Sequence, residues 1–203
     1  MTIQGFDVSH YQPALTPEFV AHLMSVEGYQ FGGIKCSEGS YLTDPNFAVN
    51  RAACAANRLP RFVYHEATNE TPTSQLRRIM QATGGQLKPR ERLALVLGDF
   101  KVSVSVATSL GTLVHTVGPI KRIKGKAWRP APVYYANRSN FSSVYNTTTF
   151  TPKWVAAFPG DGTECSLPGA VCHQWTDHDP ATHGDGDVWC GTDPAAMLAF
   201  FQS

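Results

Sequence analysis

Short apolar runs alternate with amphipathic stretches over the first two-thirds of the chain. A run of about five apolar residues bounded by polar or turn residues is typical of a strand buried on both faces, as in a parallel sheet. Such runs predict five strands, at Ile3–Val8, Phe31–Cys36, Arg61–Glu66, Leu93–Leu97 and Pro132–Ala136. In the last third, loops rather than helices separate three further predicted strands, at Trp154–Ala157, Val171–Trp175 and Gly186–Trp189.

Helices are predicted between the first strands from apolar spacing and capping residues. The clearest begins at Pro17, after Thr16 in the N-cap position, and carries Phe19, Val20 and Leu23 on one stripe. Asp44-Pro45 resembles another capped start, for a helix that reaches Asn57. The remaining predicted helices are Thr73–Gly84, Val102–Val117, Ser139–Tyr145 and one from Asp193-Pro194 to Phe201.

This order of elements predicts an α/β fold. Alternating βα units imply a parallel sheet with right-handed crossovers. About five such units followed mainly by strands give eight candidate strands, enough for a closed or nearly closed, irregular TIM-like barrel. Because the 203 residues contain no visible repeat or linker, we expect a single domain over residues 1–203.

Composition excludes several classes of partner. The formal net charge is +1 and charged residues make up 16% of the chain, so nothing favours nucleic acid or an anionic membrane. No apolar run approaches the roughly 20 residues of a membrane span. Met1 leads almost directly into the first predicted strand and no secretory signal is visible. We therefore expect a phage-encoded or otherwise non-Sec exported protein.

The five cysteines are odd in number, so at least one is unpaired within the chain. Cys165 and Cys172 bracket a short loop that a disulfide could close. Reduced, buried cysteines are the alternative, and the sequence does not decide between the two.

Acidic and aromatic side chains gather at the predicted strand ends. The acidic and polar groups are Asp7, Glu38, His65, Glu66, Asp99, Asn137, Asp185 and Asp187. Aromatic residues near the same ends include Tyr11, Tyr41, Tyr64, Tyr134, Tyr135, Trp175 and Trp189. In a barrel the carboxyl ends of the strands meet at one face. Rings that stack on sugars beside carboxylates that supply acid, base or nucleophile indicate a saccharide cleft. Alternatively, each carboxylate caps a helix or pairs with an arginine.

Several blocks, in order along the chain, resemble one family. Gly5-Phe-Asp-Val-Ser-His-Tyr-Gln12 resembles the opening Gly-Ile-Asp-Val-Ser-x-x-Gln of the glycoside hydrolase family 25 lysozymes, the Chalaropsis-type muramidases. Ile34-Lys-Cys-Ser-Glu-Gly39 and Thr43-Asp-Pro-Asn-Phe47 resemble the next two blocks, Ile-Lys-Ala-Thr-Glu-Gly and Asp-Pro-x-Phe. Later matches are Arg58–His65, Val133–Asn137, Trp154–Ala157 and His173–Trp175. The resemblance implies the irregular barrel that the pattern predicts.

The resemblance also implies an activity and a site. The family cuts the β-1,4 bond between N-acetylmuramic acid and N-acetylglucosamine in peptidoglycan, so glycan strands of the cell wall are the expected partner and no cofactor is expected. Its proton donor is the Glu of an Asp-x-Glu motif. Here Asp99 matches the Asp, and Lys101 stands in the place of the Glu. Other residues match cleft positions or lie within the matching blocks: Asp7, Asp185, Tyr64, Tyr135, Trp175, Glu38 and His10.

Lys101 is the main departure from the family pattern. Lysine has an ordinary pKa of about 10.4 and is a poor general acid. Because general acid catalysis contributes roughly 10²–10⁴-fold, its loss would leave only a trace of turnover. Glu66, on the neighbouring predicted strand, could supply a substitute carboxyl. Alternatively, Lys101 pairs with Asp99 or Glu66, and the chain is an impaired glycan-binding or structural module, for instance part of a phage particle with virion partners.

Two further clusters remain. The polar residues at the end of the chain, His173, Asp177, His178, Asp179, His183, Asp185 and Asp187, match no zinc or calcium spacing, and polar turns are the favoured interpretation. The basic run Lys121–Lys126 is expected to be a solvated loop, with contact to an anionic cell-wall polymer as the alternative.

Overall fold

The computed structural model describes residues 2–98, 102–123, 125–145, 149–157, 165, 167–177 and 179–203. The strands are β1 (Gln4–Val8), β2 (Tyr29–Glu38), β3 (Leu42–Thr43), β4 (Arg61–Glu66), β5 (Gln86–Leu87), β6 (Glu91–Val96), β7 (Ile120–Ile123), β8 (Lys126–Trp128), β9 (Val133–Asn137), β10 (Lys153–Ala156), β11 (Ala170–Thr176) and β12 (Asp185–Trp189). The helices are α1 (Pro17–Ser25), α2 (Phe47–Ala56), α3 (Pro72–Thr83), α4 (Val104–Val117), α5 (Arg138–Ser143) and α6 (Pro194–Gln202).

Eight of the strands close a barrel, in the order β1-β2-β4-β6-β9-β10-β11-β12 and back to β1. The pairs from β1 through β11 are parallel, whereas β12 is antiparallel to both β11 and β1. The predicted irregular α/β barrel is therefore confirmed. Residues 177–184, between β11 and β12, are too few for the crossover of a dozen or more residues that a parallel pair needs, whereas residues 157–169, between β10 and β11, are enough. Only β12 therefore runs in the opposite direction.

The alternation of side chains along β6 divides the core in two. Leu93, Leu95 and Leu97 pack in the cluster between sheet and helices, whereas Ala94 and Val96 pack inside the barrel. Helix α6 covers the amino-terminal end of the barrel, where the Phe201 ring lies 4.8 Å from that of Phe62. Burying both faces of each strand explains why the sequence shows continuous apolar runs.

Helix starts follow the predicted capping in most cases. The Thr16 hydroxyl accepts from the Phe19 amide at 3.1 Å, at the start of α1. Helix α2, however, begins at Phe47 rather than at Pro45. The predicted cap Asp44 accepts instead from the amides of His10 and Asn46, both at 2.9 Å, because its carboxylate joins two loops.

Of the two possibilities that the sequence left open for Cys172, the structure has the reduced, buried cysteine. The disulfide joins Cys165 to Cys190, and Cys172 is a buried free thiol inside the barrel. The basic run is not a solvated loop: Ile120–Ile123 and Lys126–Trp128 form an antiparallel pair that extends β5. Lys121 is 1% exposed, because its ammonium donates to carbonyl oxygens of Glu91, Phe201 and Ser203. Among the described residues, no helix is long and apolar enough to cross a membrane.

Candidate active site

A cleft of about 270 Å³ opens at the carboxyl ends of the barrel strands. Most of its lining comes from side chains at or just beyond the ends of the parallel strands. The lining residues are Asp7, Ser9, Tyr11, Gln12, Lys35, Tyr64, Glu66, Val96, Tyr135, Trp154, Gln174 and Asp185. The cleft thus brings together five residues predicted from sequence, Asp7, Glu66, Tyr64, Tyr135 and Asp185.

The floor of the cleft holds a bridged pair of carboxyls. Asp7 of β1 and Asp185 of β12 are directly paired in the strand register. The Gln174 side-chain amide donates to Oδ2 of Asp7 at 2.7 Å and to Oδ2 of Asp185 at 2.8 Å. Tyr135 in turn donates its hydroxyl proton to Oε1 of Gln174 at 2.5 Å, which fixes the orientation of the amide. The pair is therefore held in place by a chain of hydrogen bonds.

A third carboxyl, Asp187, lies beneath this pair. It is fully buried, and its Oδ1 accepts from the indole N–H of Trp154 at 2.8 Å. Burial, and then the charge of Asp185, raise the pKa of Asp7 well above its ordinary value, and burial with the charge of Asp7 does the same for Asp187. Since neighbouring buried carboxyls cannot all ionise, the group retains a proton that would be lost in water.

Asp187 was predicted among the strand-end carboxyls, but no block of the family resemblance singled it out. Its alternation with Asp185 along one strand places both side chains on the same face. The other polar residues from His173 to His183 are dispersed. Asp179 accepts from the Tyr29 hydroxyl at 2.5 Å and from the amides of Ala181 and Thr182, as a turn residue does. Within the described part of the chain, no group of three or more His, Cys, Asp or Glu side chains is arranged so that it could hold a metal ion, and His178 lies outside that part.

The wall formed by β2 and β4 carries a buried ion-pair cluster. The ammonium of Lys35, 3% exposed, lies 2.6 Å from Oε2 of Glu38 and also pairs with Glu66. Burial alone would lower the pKa of Lys35, but its bonds to the two carboxylates raise it. Burial would likewise raise the pKa of Glu38, but the bonds from Lys35 and the Tyr41 hydroxyl lower it. Glu66 thus meets a cation that sequence reasoning missed, although Lys35 pairs with Tyr64 in the register.

The remaining predicted side chains occupy different places. Tyr64 is buried and donates to the carbonyl of Val8 at 3.2 Å. Trp175 is 42% exposed and is not part of the cleft lining. His10 also lies outside the lining, where Nδ1 contacts Oδ2 of Asp44 at 2.9 Å and the ring lies 4.2 Å from that of Tyr11. Tyr11, which does line the cleft, is 79% exposed and suits stacking on a sugar.

Asp99 and Lys101, predicted at the end of β6, lie outside the described residues. The described part of the strand shows which positions reach the cleft. Val96 lines it, and a Cβ at Gly98 would lie 3.8 Å from Cε1 of Tyr135. A side chain at position 98 would therefore be in ordinary van der Waals contact with Tyr135, on the cleft wall.

Comparisons with known proteins agree with this geometry. Residues 6–183 match the family model described as Glycosyl hydrolases family 25. A muramidase from Acremonium alcalophilum is 23% identical, with a TM-score of 0.77 over 98% of this chain and 99% of that chain. A bacterial lysozyme from Streptomyces coelicolor is 18% identical, with a TM-score of 0.79 over 100% and 98%. A family GH25 lysozyme from Aspergillus fumigatus is 20% identical, with a TM-score of 0.77 over 100% of both chains. A search of curated proteins found no match.

Proposed function

This chain belongs to the glycosyl hydrolases of family 25, and we propose that it is a peptidoglycan-directed lysozyme-type domain that hydrolyses the β-1,4 bond between N-acetylmuramic acid and N-acetylglucosamine. The observation that carries the proposal is the pair Asp7 and Asp185, bridged by Gln174 on the floor of a cleft with aromatic walls. Its place of action would be the bacterial cell wall.

The chemistry of a glycosidase requires a proton for the leaving oxygen and negative charge beside the sugar. The proton retained by the buried carboxyls is one source, since Asp7 both lines the cleft and has a raised pKa. Asp99 is proposed as nucleophile or stabilising charge, and Asp185 shapes the site. Glu66 is less suited to donating a proton, because its ion pair with Lys35 favours the carboxylate. It is better placed to stabilise positive charge that develops on the sugar.

One observation favours a second candidate, an impaired glycan-binding or structural module, for instance in a phage particle. Lys35 already neutralises part of the negative charge of Glu38 and Glu66, and Lys101 would add another cation where the family places its acid. Such a cleft would still bind sugars through its exposed tyrosine and polar floor. It would lack a carboxylic acid at the reacting bond.

Release of reducing ends from purified peptidoglycan distinguishes the two. The proposal expects measurable release by the wild-type protein and a much smaller increase in Lys101→Glu than the roughly 10²–10⁴-fold that a missing general acid would restore, since Asp7 already supplies a proton. Lys126→Glu, a charge reversal at an exposed lysine, serves as the matched control and should not change the rate. No release by the wild type, with activity only in Lys101→Glu, would establish the second candidate. Co-sedimentation with insoluble peptidoglycan then separates a binding module from a scaffold.

A further inference from the structure

A second concave region lies at the opposite end of the barrel, where β4 and β6 begin. It has a volume of about 490 Å³, more than ten times the roughly 30 Å³ that a water molecule occupies. Five of its lining residues are basic: Arg51, Arg58, Arg61, Lys88 and Arg90. The others are Ala48, Ala52, Ala55 and Pro89, so the lining carries no acidic and no aromatic side chain. In a chain whose net charge is +1, this is a strong local concentration of positive charge.

Only part of that charge is neutralised within the protein. The buried Glu91 carboxylate, next to the pocket, accepts from Arg51 at 2.6 Å and from Arg61 at 2.5 Å. Both arginines are thereby held rigidly. Arg61 is 1% exposed, and its Nε has no hydrogen-bond partner among the described residues. A buried donor without a partner is uncommon in folded proteins, so an acceptor that reaches it from the pocket would be favourable.

Arg58 and Arg90, together with Lys88, carry the charge that Glu91 does not neutralise. The Arg90 guanidinium donates to the backbone carbonyl of Arg58 at 2.6 Å, which holds it beside the Arg58 backbone. Neither forms an ion pair within the part of the chain that the structure describes. Burial, and then the charge of Arg58, lower the pKa of Arg90. A bound anion would relieve this repulsion between like charges.

The backbone at these two arginines supports a functional role. Arg58 has φ of 54° and Arg90 has φ of 65°, a left-handed conformation that favours glycine. Glycine would satisfy the local geometry better at both positions. Strained non-glycine residues of this kind cluster at ligand-binding sites.

The same two arginines border an adjoining pocket of about 300 Å³, which is also lined by Lys121 and Arg122. Two adjacent basic pockets that share a border suit a ligand with repeated negative charges. Arginine pairs with phosphate oxygens through two parallel hydrogen bonds. Proteins that bind single-stranded nucleic acid add aromatic side chains on which the bases stack, and neither pocket has an aromatic lining residue.

We propose that these adjoining pockets, centred on Arg58 and Arg90, bind a phosphodiester-linked polyol chain, an anionic polymer without bases. The alanine and proline side chains would contact the polyol carbons, and the arginines would contact successive phosphates. This inference goes beyond the proposed hydrolysis and does not depend on it, because the pockets lie at the other end of the barrel from Asp7.

The test is a calorimetric titration of the full chain with poly(glycerol phosphate) at two salt concentrations. The variant Arg58→Gly with Arg90→Gly removes both charges while leaving residues that suit the left-handed backbone, so the melting temperature should be retained. We expect each lost guanidinium to weaken binding roughly tenfold or more, as for hydrogen bonds to charged groups. Higher salt should weaken wild-type binding more than binding by the double variant.

Matched controls define the opposite outcomes. Arg77→Ala removes an exposed arginine on α3, and Asp7→Asn alters only the cleft, so both should bind the polymer as the wild type does. No binding by the wild type, or equal binding by the folded double variant, would overturn the proposal. Tighter binding of a single-stranded oligonucleotide of matched charge, or of phosphatidylglycerol vesicles, would overturn the assignment to a polyol phosphate.

Discussion

Asp7 and Asp185 face each other across the strand pair that closes the barrel, and a single amide, that of Gln174, donates to both at 2.7 and 2.8 Å. The hydrogen bonds that close the sheet therefore also bring two carboxyls to the floor of the cleft. Their proximity to each other and to Asp187 keeps a proton in the site.

Asp7→Asn should greatly reduce hydrolysis without damaging the fold. Asparagine has nearly the same shape as aspartate but cannot hold or release the proton, so we expect release of reducing ends from peptidoglycan to fall roughly 10²–10⁴-fold. Stability at neutral pH should be unchanged or higher, since repulsion with Asp185 disappears. Asp193→Asn, at the exposed cap of α6, is the control. An Asp7→Asn protein with full activity would exclude Asp7 as the source of the proton.

Asp187→Asn should change how stability depends on pH. Burial and the charge of Asp7 raise the pKa of Asp187 above 3.8. A carboxyl whose pKa is higher in the folded protein than in the unfolded chain stabilises the folded protein most at a pH below its pKa in the unfolded chain. This contribution is lost as the pH rises through its pKa in the folded protein. Between about pH 4 and about pH 8, the free energy of unfolding of the wild type, measured with urea, should therefore fall by at least about 1 kcal/mol more than that of the variant. If the free energy of unfolding depended on pH in the same way for both proteins, the raised pKa of Asp187 would be contradicted.

Lys35→Met should be strongly destabilising. It leaves the carboxylates of Glu38 and Glu66, whose side chains are 13% and 14% exposed, without their shared cation. Removing one member of a buried ion pair costs about 3–5 kcal/mol. A second change, Glu66→Gln, should restore part of the loss, as measured by urea unfolding of the single and double variants. Lys126→Met, at an exposed position, should change stability by less than about 0.5 kcal/mol. Equal losses from both lysine variants would show that the cluster is unimportant.

The disulfide between Cys165 and Cys190 should stabilise the last third of the barrel. It closes a loop with a sequence separation of 25, for which loss of the cross-link is expected to cost about 3 kcal/mol. Replacing both cysteines with serine should lower the melting temperature of the oxidised protein to that of the reduced one. Reductant should then have no further effect on the variant. If reductant lowered the melting temperature of the variant as much as that of the wild type, the effect of reductant would have a cause other than this disulfide.

Much of the fold could be predicted because it depends on local pattern. Arg61–Glu66 was predicted with its observed bounds, and the start of α1 at Pro17 was predicted from Thr16, Pro17 and an apolar stripe. Each of these depends on residues close together in the chain. Glu91 and Arg92 extend β6 beyond the apolar run predicted as a strand. The Glu91 carboxylate pairs with Arg51 and Arg61, and Arg92 donates to groups near the end of the chain. A local pattern does not reveal such distant partners.

The sequence by itself determined the alternation of strands and helices, and with it the placement of acidic side chains at the strand ends. Only the tertiary structure decided which of these side chains meet. Asp7 and Gln174 are 167 residues apart, Glu66 pairs with Lys35, and Cys165 pairs with Cys190 rather than with Cys172. The physical reason is that secondary structure follows from neighbours along the chain, whereas these partners depend on strand order, register and the antiparallel β12 that closes the barrel.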